Sequence, residues 1–157
     1  MNAAAPTIRA ATKADAAAMS SLIRRTVQVS NVADYSPAVI EHLLTEFAPA
    51  KVAERMDGRD VFVMCADEDV IGTVSLGLAA GKLHSMFIEP ARQKQGLGRR
   101  LVDHLEQHAS TRGYRDMMVS SSLTAKPFYE KLGYENLAFE DKPGASTWLM
   151  KKRLAHA

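Results

Sequence analysis

Only one cysteine, Cys65, occurs in 157 residues, so no internal disulfide can staple this chain. Cys65 lies inside the run Val61 to Ala66, and in that apolar setting it reads as a small buried hydrophobe rather than a reactive thiol. Long hydrophobic runs are also missing. Those six residues are the longest, against roughly 20 needed to cross a bilayer. Met1 to Pro6 carries neither a charged leader nor an apolar segment. The expectation is a soluble, cytoplasmic protein with no membrane partner. Excess charge is scarce as well: a net charge of +2 and a pI near 8.7 are too mild for a nucleic-acid-binding face. Paired cysteines, H-E-x-x-H and G-x-S-x-G are absent. His104 and His108 lie one helical turn apart without an evident third ligand, so no metal is expected.

What the chain has is a change of period. Thr7 to Ala10 reads as a short strand, and Thr12 with Asp15 as a capping-box-like helix start. Met19, Leu22, Ile23 and Val27 then recur at helical spacing. After a polar linker, Ser30 to Tyr35, a second helix opens at Ser36 and Pro37 and carries Ile40, Leu43, Leu44 and Phe47. Pro49 to Met56 makes a third, short helix. From Val61 the pattern is that of strands: Val61 to Ala66, a turn at Asp67 to Asp69, alternation from Val70 to Leu78, and a third strand from Lys82 to Ile88 stopped by Glu89 and Pro90. A helix burying Leu97, Leu101, Val102, Leu105 and Ala109 runs to Gly113. Then come a strand at Met117 to Ser120, a helix at about Thr124 to Leu132, and a strand pair, Tyr134 to Phe139 and Ser146 to Leu154, about the Pro143, Gly144 turn.

Between the third strand and the long helix stands Q-x-x-G-x-G: Gln93, Gly96 and Gly98. Glycines let the chain turn sharply and expose backbone amides. The first turn of a helix has amides without intrahelical partners and the positive end of its dipole, so an anion is favoured there. Arg92, Lys94, Arg99 and Arg100 surround this point with no acid among them. The expected guest is a polyanionic small ligand. Two rival phosphate motifs do not fit. A dinucleotide fingerprint needs a third glycine where Leu101 stands and a parallel strand-helix-strand unit, and a P-loop needs Gly-Lys-Ser/Thr where Gly98 is followed by Arg99 and Arg100.

A second motif follows at Ser122 to Tyr134, where Ala125, Phe128, Tyr129, Gly133 and Tyr134 spell A-x-x-F-Y-x-x-x-G-[FY]. A hairpin meander, then Q-x-x-G-x-G opening a helix, then this second pattern resembles the GNAT superfamily of acyl-CoA-dependent N-acetyltransferases, over Val61 to Arg153. The N-terminal third, including Asp34, Tyr35 and Ser36, is similar to small stand-alone bacterial members. The resemblance implies an α/β (α+β) fold, a mixed, mainly antiparallel sheet flanked by helices in one domain over 1–157, with the acetyl-CoA-binding core at about 61–153. It also implies that the pantetheine arm lies as a pseudo-strand along Met86, Phe87 and Ile88. Gln93, Lys94, Gln95, Gly96, Leu97, Gly98 and Arg99 would hold the pyrophosphate, assisted by Arg92 and Lys131. Ser122 stands where the family often has an asparagine bonding the arm, and Phe128 belongs to the same binding set.

The implied function is direct transfer of an acetyl group from acetyl-CoA to an amine. Tyr129, protonated at neutral pH with an ordinary pKa of about 10, is the candidate acid for the leaving thiolate. A backbone N–H near Met86 or Phe87 is the candidate for polarising the carbonyl. The base stays open among His84, Glu89 and the Asn31 to Tyr35 loop; simple alternation puts Lys82, His84, Met86 and Ile88 on one face. The alternative function is a sensor module that holds acyl-CoA without turnover; a third is an interaction protein. Loops Ser30 to Tyr35 and Lys142 to Ser146 would shape the acceptor pocket. Exposed strand edges leave a homodimer open.

Overall fold

A computed structural model describes residues 5–155; Met1 to Ala4, part of the Met1 to Pro6 segment discussed above, lie outside them. Seven strands form one sheet in the order β1-β2-β3-β4-β5-β7-β6, where β1 is Thr7–Ala10, β2 Arg59–Ala66, β3 Asp69–Gly77, β4 Lys82–Ile88, β5 Asp116–Ser122, β6 Glu135–Glu140 and β7 Thr147–Arg153. All neighbours pair antiparallel except β4 and β5, which are parallel. Helices α1 (Ala16–Val29), α2 (Pro37–Glu46), α3 (Pro49–Arg55), α4 (Leu97–Thr111) and α5 (Lys126–Lys131) complete the chain. No helix among the described residues is long and apolar enough to cross a membrane.

Alternation divides the core. Phe62, Met64, Val74, Leu76, Leu83, Met117, Val119 and Met150 turn one face of the sheet toward the buried stripe Leu97, Leu101, Val102, Leu105 and Ala109 of α4. On the other face Val63 packs with Ala16, Met19 and Val52 of α1 and α3. Each fully buried leucine or methionine contributes about 1.5–3 kcal/mol, so α4 and the sheet hold each other. Helix α2 differs: Ser36 caps it, accepting from the Val39 amide at 3.3 Å, yet none of its residues is buried.

Several expected boundaries move. Strand β2 begins at Arg59 rather than Val61, because Arg59 pairs with Gly77 and Asp60 with Leu76. Strand β3 ends at Gly77, and β5 continues to Ser122 because β7 pairs with its whole length. The last two strands do form a hairpin, but it is β7 that lies against β5, leaving β6 at the edge. Cys65 is partly buried against the α1/α3 cluster.

Two features of β4 set up a site. Across to β5 only Lys82 with Met118 and Leu83 with Val119 are paired, so from His84 onward the two strands part and β4 keeps a free edge. Across to β3, Thr73 pairs with Phe87 but Ser75 with His84, so Ser85 and Met86 together oppose Val74. Ser85 takes φ 53° to make this bulge.

Candidate active site

The bulge corrects the alternation expected from sequence. Leu83, Met86 and Ile88 share the α4 face, whereas His84 lies over Gly77 on the opposite face and Phe87 meets Phe47 edge-on at 5.7 Å. His84 therefore does not stand beside Met86 and Ile88. Burial chiefly, then Arg59 and Lys82, lower its pKa to about 4. Glu89 is also committed elsewhere: Arg25 of α1 grips its carboxylate with two guanidinium nitrogens, one of them Nε at 3.2 Å.

Where β4 and β5 part, a groove of about 610 Å³ opens. Met86, Phe87, Ile88, Gln93, Lys94, Gly96, Leu97, Gly98, Arg99, Ser122 and Phe128 of the expected set all line it, with Arg92 and Lys131. Gln95 is exposed in the turn and outside the lining. Arg100 turns away and donates to the Pro6 carbonyl at 2.7 Å.

The two glycines do different work. Gly96 sits at φ 78°, ψ 7° as the residue before α4, a left-handed conformation that disfavours any Cβ. Lys94 shares that region at φ 64°, so the turn is tight over three residues. Gly98 is not a turning residue at all. It is helical, and a Cβ there would meet the Phe128 ring at 3.3 Å. Its smallness lets α5 approach the first turn of α4. That turn receives no side-chain cap, so its amides are available to an anion.

Gln93, which lines the groove, also braces the loop. Its Nε2 donates to Ser30 Oγ at 3.0 Å and to the Ile88 carbonyl at 3.1 Å, tying the end of β4 to the end of α1. Ser122 Oγ accepts the Ala125 amide at 3.1 Å and thereby shapes the entry to α5. Phe128 packs against Tyr129 with ring centroids 5.0 Å apart, and Tyr129 against Tyr134 at 5.5 Å. Tyr129 is 4% exposed, and its hydroxyl has no hydrogen-bond partner among the described residues. Burial, then Tyr35 nearby, push its pKa above the ordinary phenol value. The ring lies behind Phe128 rather than in the groove lining.

Asp34 has a role that sequence reasoning did not specify. Buried, it accepts from the Thr124 amide at 3.0 Å and the Thr124 hydroxyl at 2.6 Å, across 90 residues of chain. The Ser36 amide donates to the Gly144 carbonyl at 3.0 Å. Both acceptor loops named from sequence are thus brought together: the segment between α1 and α2 is clasped to the start of α5 and to the β6–β7 turn. Nothing local marks Asp34 for this. Its signal is only a carboxylate in a short linker with a small polar cluster far downstream. His104 and His108 both pack edge-on against Phe62, at 4.6 and 4.9 Å, and His108 pairs with Asp60, so each has a structural partner.

Residues 31–153 match the family model described as "Acetyltransferase (GNAT) domain". Among solved structures, the GCN5-related N-acetyltransferase of Rhodopseudomonas palustris superposes with a TM-score of 0.87 at 23% identity, covering 98% of this chain and 99% of that one. The PaiA N-acetyltransferase of Thermoplasma acidophilum, solved with coenzyme A, superposes with 0.82 at 17%, covering 96% and 99%. Among curated proteins, glucosamine 6-phosphate N-acetyltransferase of Trypanosoma brucei brucei is 30% identical over 74 residues, 41% of this chain and only 50% of that protein. The family match spans most of the chain and includes both the parted strands and the uncapped helix that the groove is made of, and so the chain belongs to the GNAT acetyltransferase domain family.

Proposed function

We propose that the protein is an N-acetyltransferase that takes an acetyl group from acetyl-CoA and passes it directly to an amine. The observation that carries this reading is the free edge of β4 running straight into the uncapped first turn of α4. A pantetheine arm, itself an amide chain, is a natural pseudo-strand for that edge, and a pyrophosphate is a natural guest for amides at a helix start. Arg92, Lys94, Arg99 and Lys131 supply cationic side chains around the same groove. The R. palustris likeness supports the fold, and the coenzyme A in the PaiA structure supports the ligand class.

The substrate supplies an activated thioester carbon. As the amine nitrogen forms its bond to that carbon the C–S bond breaks, and the proton lost by nitrogen ends on sulfur. A backbone amide on the free edge of β4, that of Met86 beside the Ser85 bulge, is the group we assign to stabilising charge on the carbonyl oxygen, an effect worth about 3 kcal/mol in comparable sites. Tyr129 stays protonated throughout the neutral range because burial raises its pKa, and its unpartnered hydroxyl is the donor we assign to the thiolate. Fast proton abstraction from an ammonium is not a task for His84, whose low pKa makes it a weak base. The amine therefore enters as its neutral fraction, and the proton that its nitrogen loses passes by water to Tyr129, replacing the one that Tyr129 gives to sulfur. Calorimetry with coenzyme A and thiol release from acetyl-CoA across an amine panel test the reading together. Binding with turnover is the expected result, and absence of both would end it.

A further inference from the structure

On the face of the sheet turned from α4, a second and much smaller cavity of about 20 Å³ lies beneath α1 and α3. Ile23 and Phe47 give it an apolar wall, and Arg55, Arg59, Ser75 and Ser85 border it. Ser75 is occupied, donating to the His84 carbonyl at 3.1 Å. The two arginines differ sharply. Arg55 is neutralised, its Nη2 2.8 Å from Glu46 Oε2 and its guanidinium 4.9 Å from the Phe47 ring centre. Arg59 forms no ion pair among the described residues; its side chain meets only Ser85 Oγ, at 3.4 Å. The neighbouring Asp60 offers no relief, because it points to the opposite face, where His108 and Arg112 take it.

A half-buried cation without a counterion costs stability. Burial first, then Arg55, lower the Arg59 pKa, as expected of a guanidinium that lacks an anion. Its position gives it a use. Ser85 is the bulge residue of β4, directly before Met86 and Phe87 of the groove, and the Phe47–Phe87 pair is the partition between the two spaces. An anion held by Arg59 would thus be part of a molecule reaching the free edge of β4 from the side opposite α4.

We infer that the acceptor amine bears a carboxylate, which Arg59 and Ser85 receive in this cavity. The inference rests on the acetyltransferase reading and names its substrate class. One uncompensated charge matches a monoanion, and the guanidinium fork matches the two oxygens of a carboxylate. A space that admits one water-sized group suits that end of a molecule and not the bulk of it; the remainder would rest against Phe47.

The test uses the full chain saturated with coenzyme A and titrated with the N-acetyl derivatives of glycine, alanine, methionine and phenylalanine, each beside its primary amide. At least one acid should bind tenfold or more tighter than its amide, in line with charge-assisted hydrogen bonds. That preference should vanish in Arg59→Gln and survive in part in Arg59→Lys. Arg59→Gln should also melt at or above the parent temperature; a marked drop would make Arg59 a structural residue and overturn the inference. Equal binding of acids and amides, or equal affinity in Arg59→Gln, would overturn it too. In turnover assays, preference for an uncharged amine or for glucosamine 6-phosphate over every amino acid would defeat the carboxylate while leaving the acetyltransferase intact. Failure to bind coenzyme A removes both readings.

Discussion

The two sides of β4 were built by different means. The groove side is assembled from contiguous sequence: Gln93 to Arg99 and Ala125 to Tyr134 each form one turn and one helix start, and a single close approach, Gly98 against Phe128, joins them. The opposite side is assembled from separate pieces such as Arg59 and Ser85, 26 residues apart, while the Asp34–Thr124 bond, across 90 residues, adds a distant piece to the groove lining. Local geometry suffices for a ligand whose recognised parts are backbone-like and anionic. Discrimination among amines needs side chains converging from several elements, and that is where the structure leaves one arginine uncompensated and one helix, α2, without a buried residue.

The sharpest way to separate the sides is through chemistry alone. Tyr129→Phe removes only a hydroxyl that no protein group uses, so folding and coenzyme A affinity should stay within twofold of the parent. Turnover should fall about 100-fold, the lower range for a positioned acid. Steady-state kinetics beside calorimetry check it, and unchanged turnover would take Tyr129 out of the mechanism.

Next in size is Gly96→Val. A β-branched residue at φ 78° is strained by about 1–2 kcal/mol, and the strain falls on the turn that presents the amides. Coenzyme A affinity should drop about tenfold or more, while binding of an acceptor-side probe to the protein is unaltered. Equal losses on both sides would mean that the two regions are not separable. Asp34→Ala acts on the acceptor loop, at a residue that also lines the groove. It leaves the Thr124 amide without its acceptor in a partly buried place, worth about 1–3 kcal/mol, and should raise the acceptor KM more than that for acetyl-CoA. Thermal melts and a two-substrate kinetic matrix measure both effects.

How much of this the sequence discloses follows the same division. Periods of 3.6 and 2 locate α1, α2, α4 and the strands, because amphipathic faces are local properties. The Gly96 turn is legible for the same reason. The Ser85 bulge is not: serine at φ 53° carries no glycine or asparagine signal, and it alone moves His84 off the face of Met86. Arg59 was hidden by position. It precedes the apolar run that begins at Val61, and only the pairing with Gly77 draws it into β2. Gly98 does not turn the chain as expected but makes room for Phe128, and Gln93, which lines the groove, also ties down the end of β4. Nothing in a local window tells which of β6 and β7 will lie against β5.

The smallest expected effect tests His84, the residue whose face the bulge changes. With a folded pKa of about 4 against an unfolded value near 6.5, the unfolded chain binds the proton that the folded chain refuses. Stability from this group is therefore complete above about pH 6.5 and is lost as pH falls toward 4. His84→Gln, which cannot charge, should flatten that part of the pH dependence of the denaturation midpoint and leave the value at pH 7.5 nearly unmoved. Because the imidazole is partly solvated, the slope should be shallower than a full proton per molecule. A pH–rate profile identical to the parent is expected alongside, since a weak base behind the strand has no proton to take. A lost acid-limb ionisation in the variant would instead return His84 to the chemistry and make the side of β4 opposite α4 catalytic as well as selective.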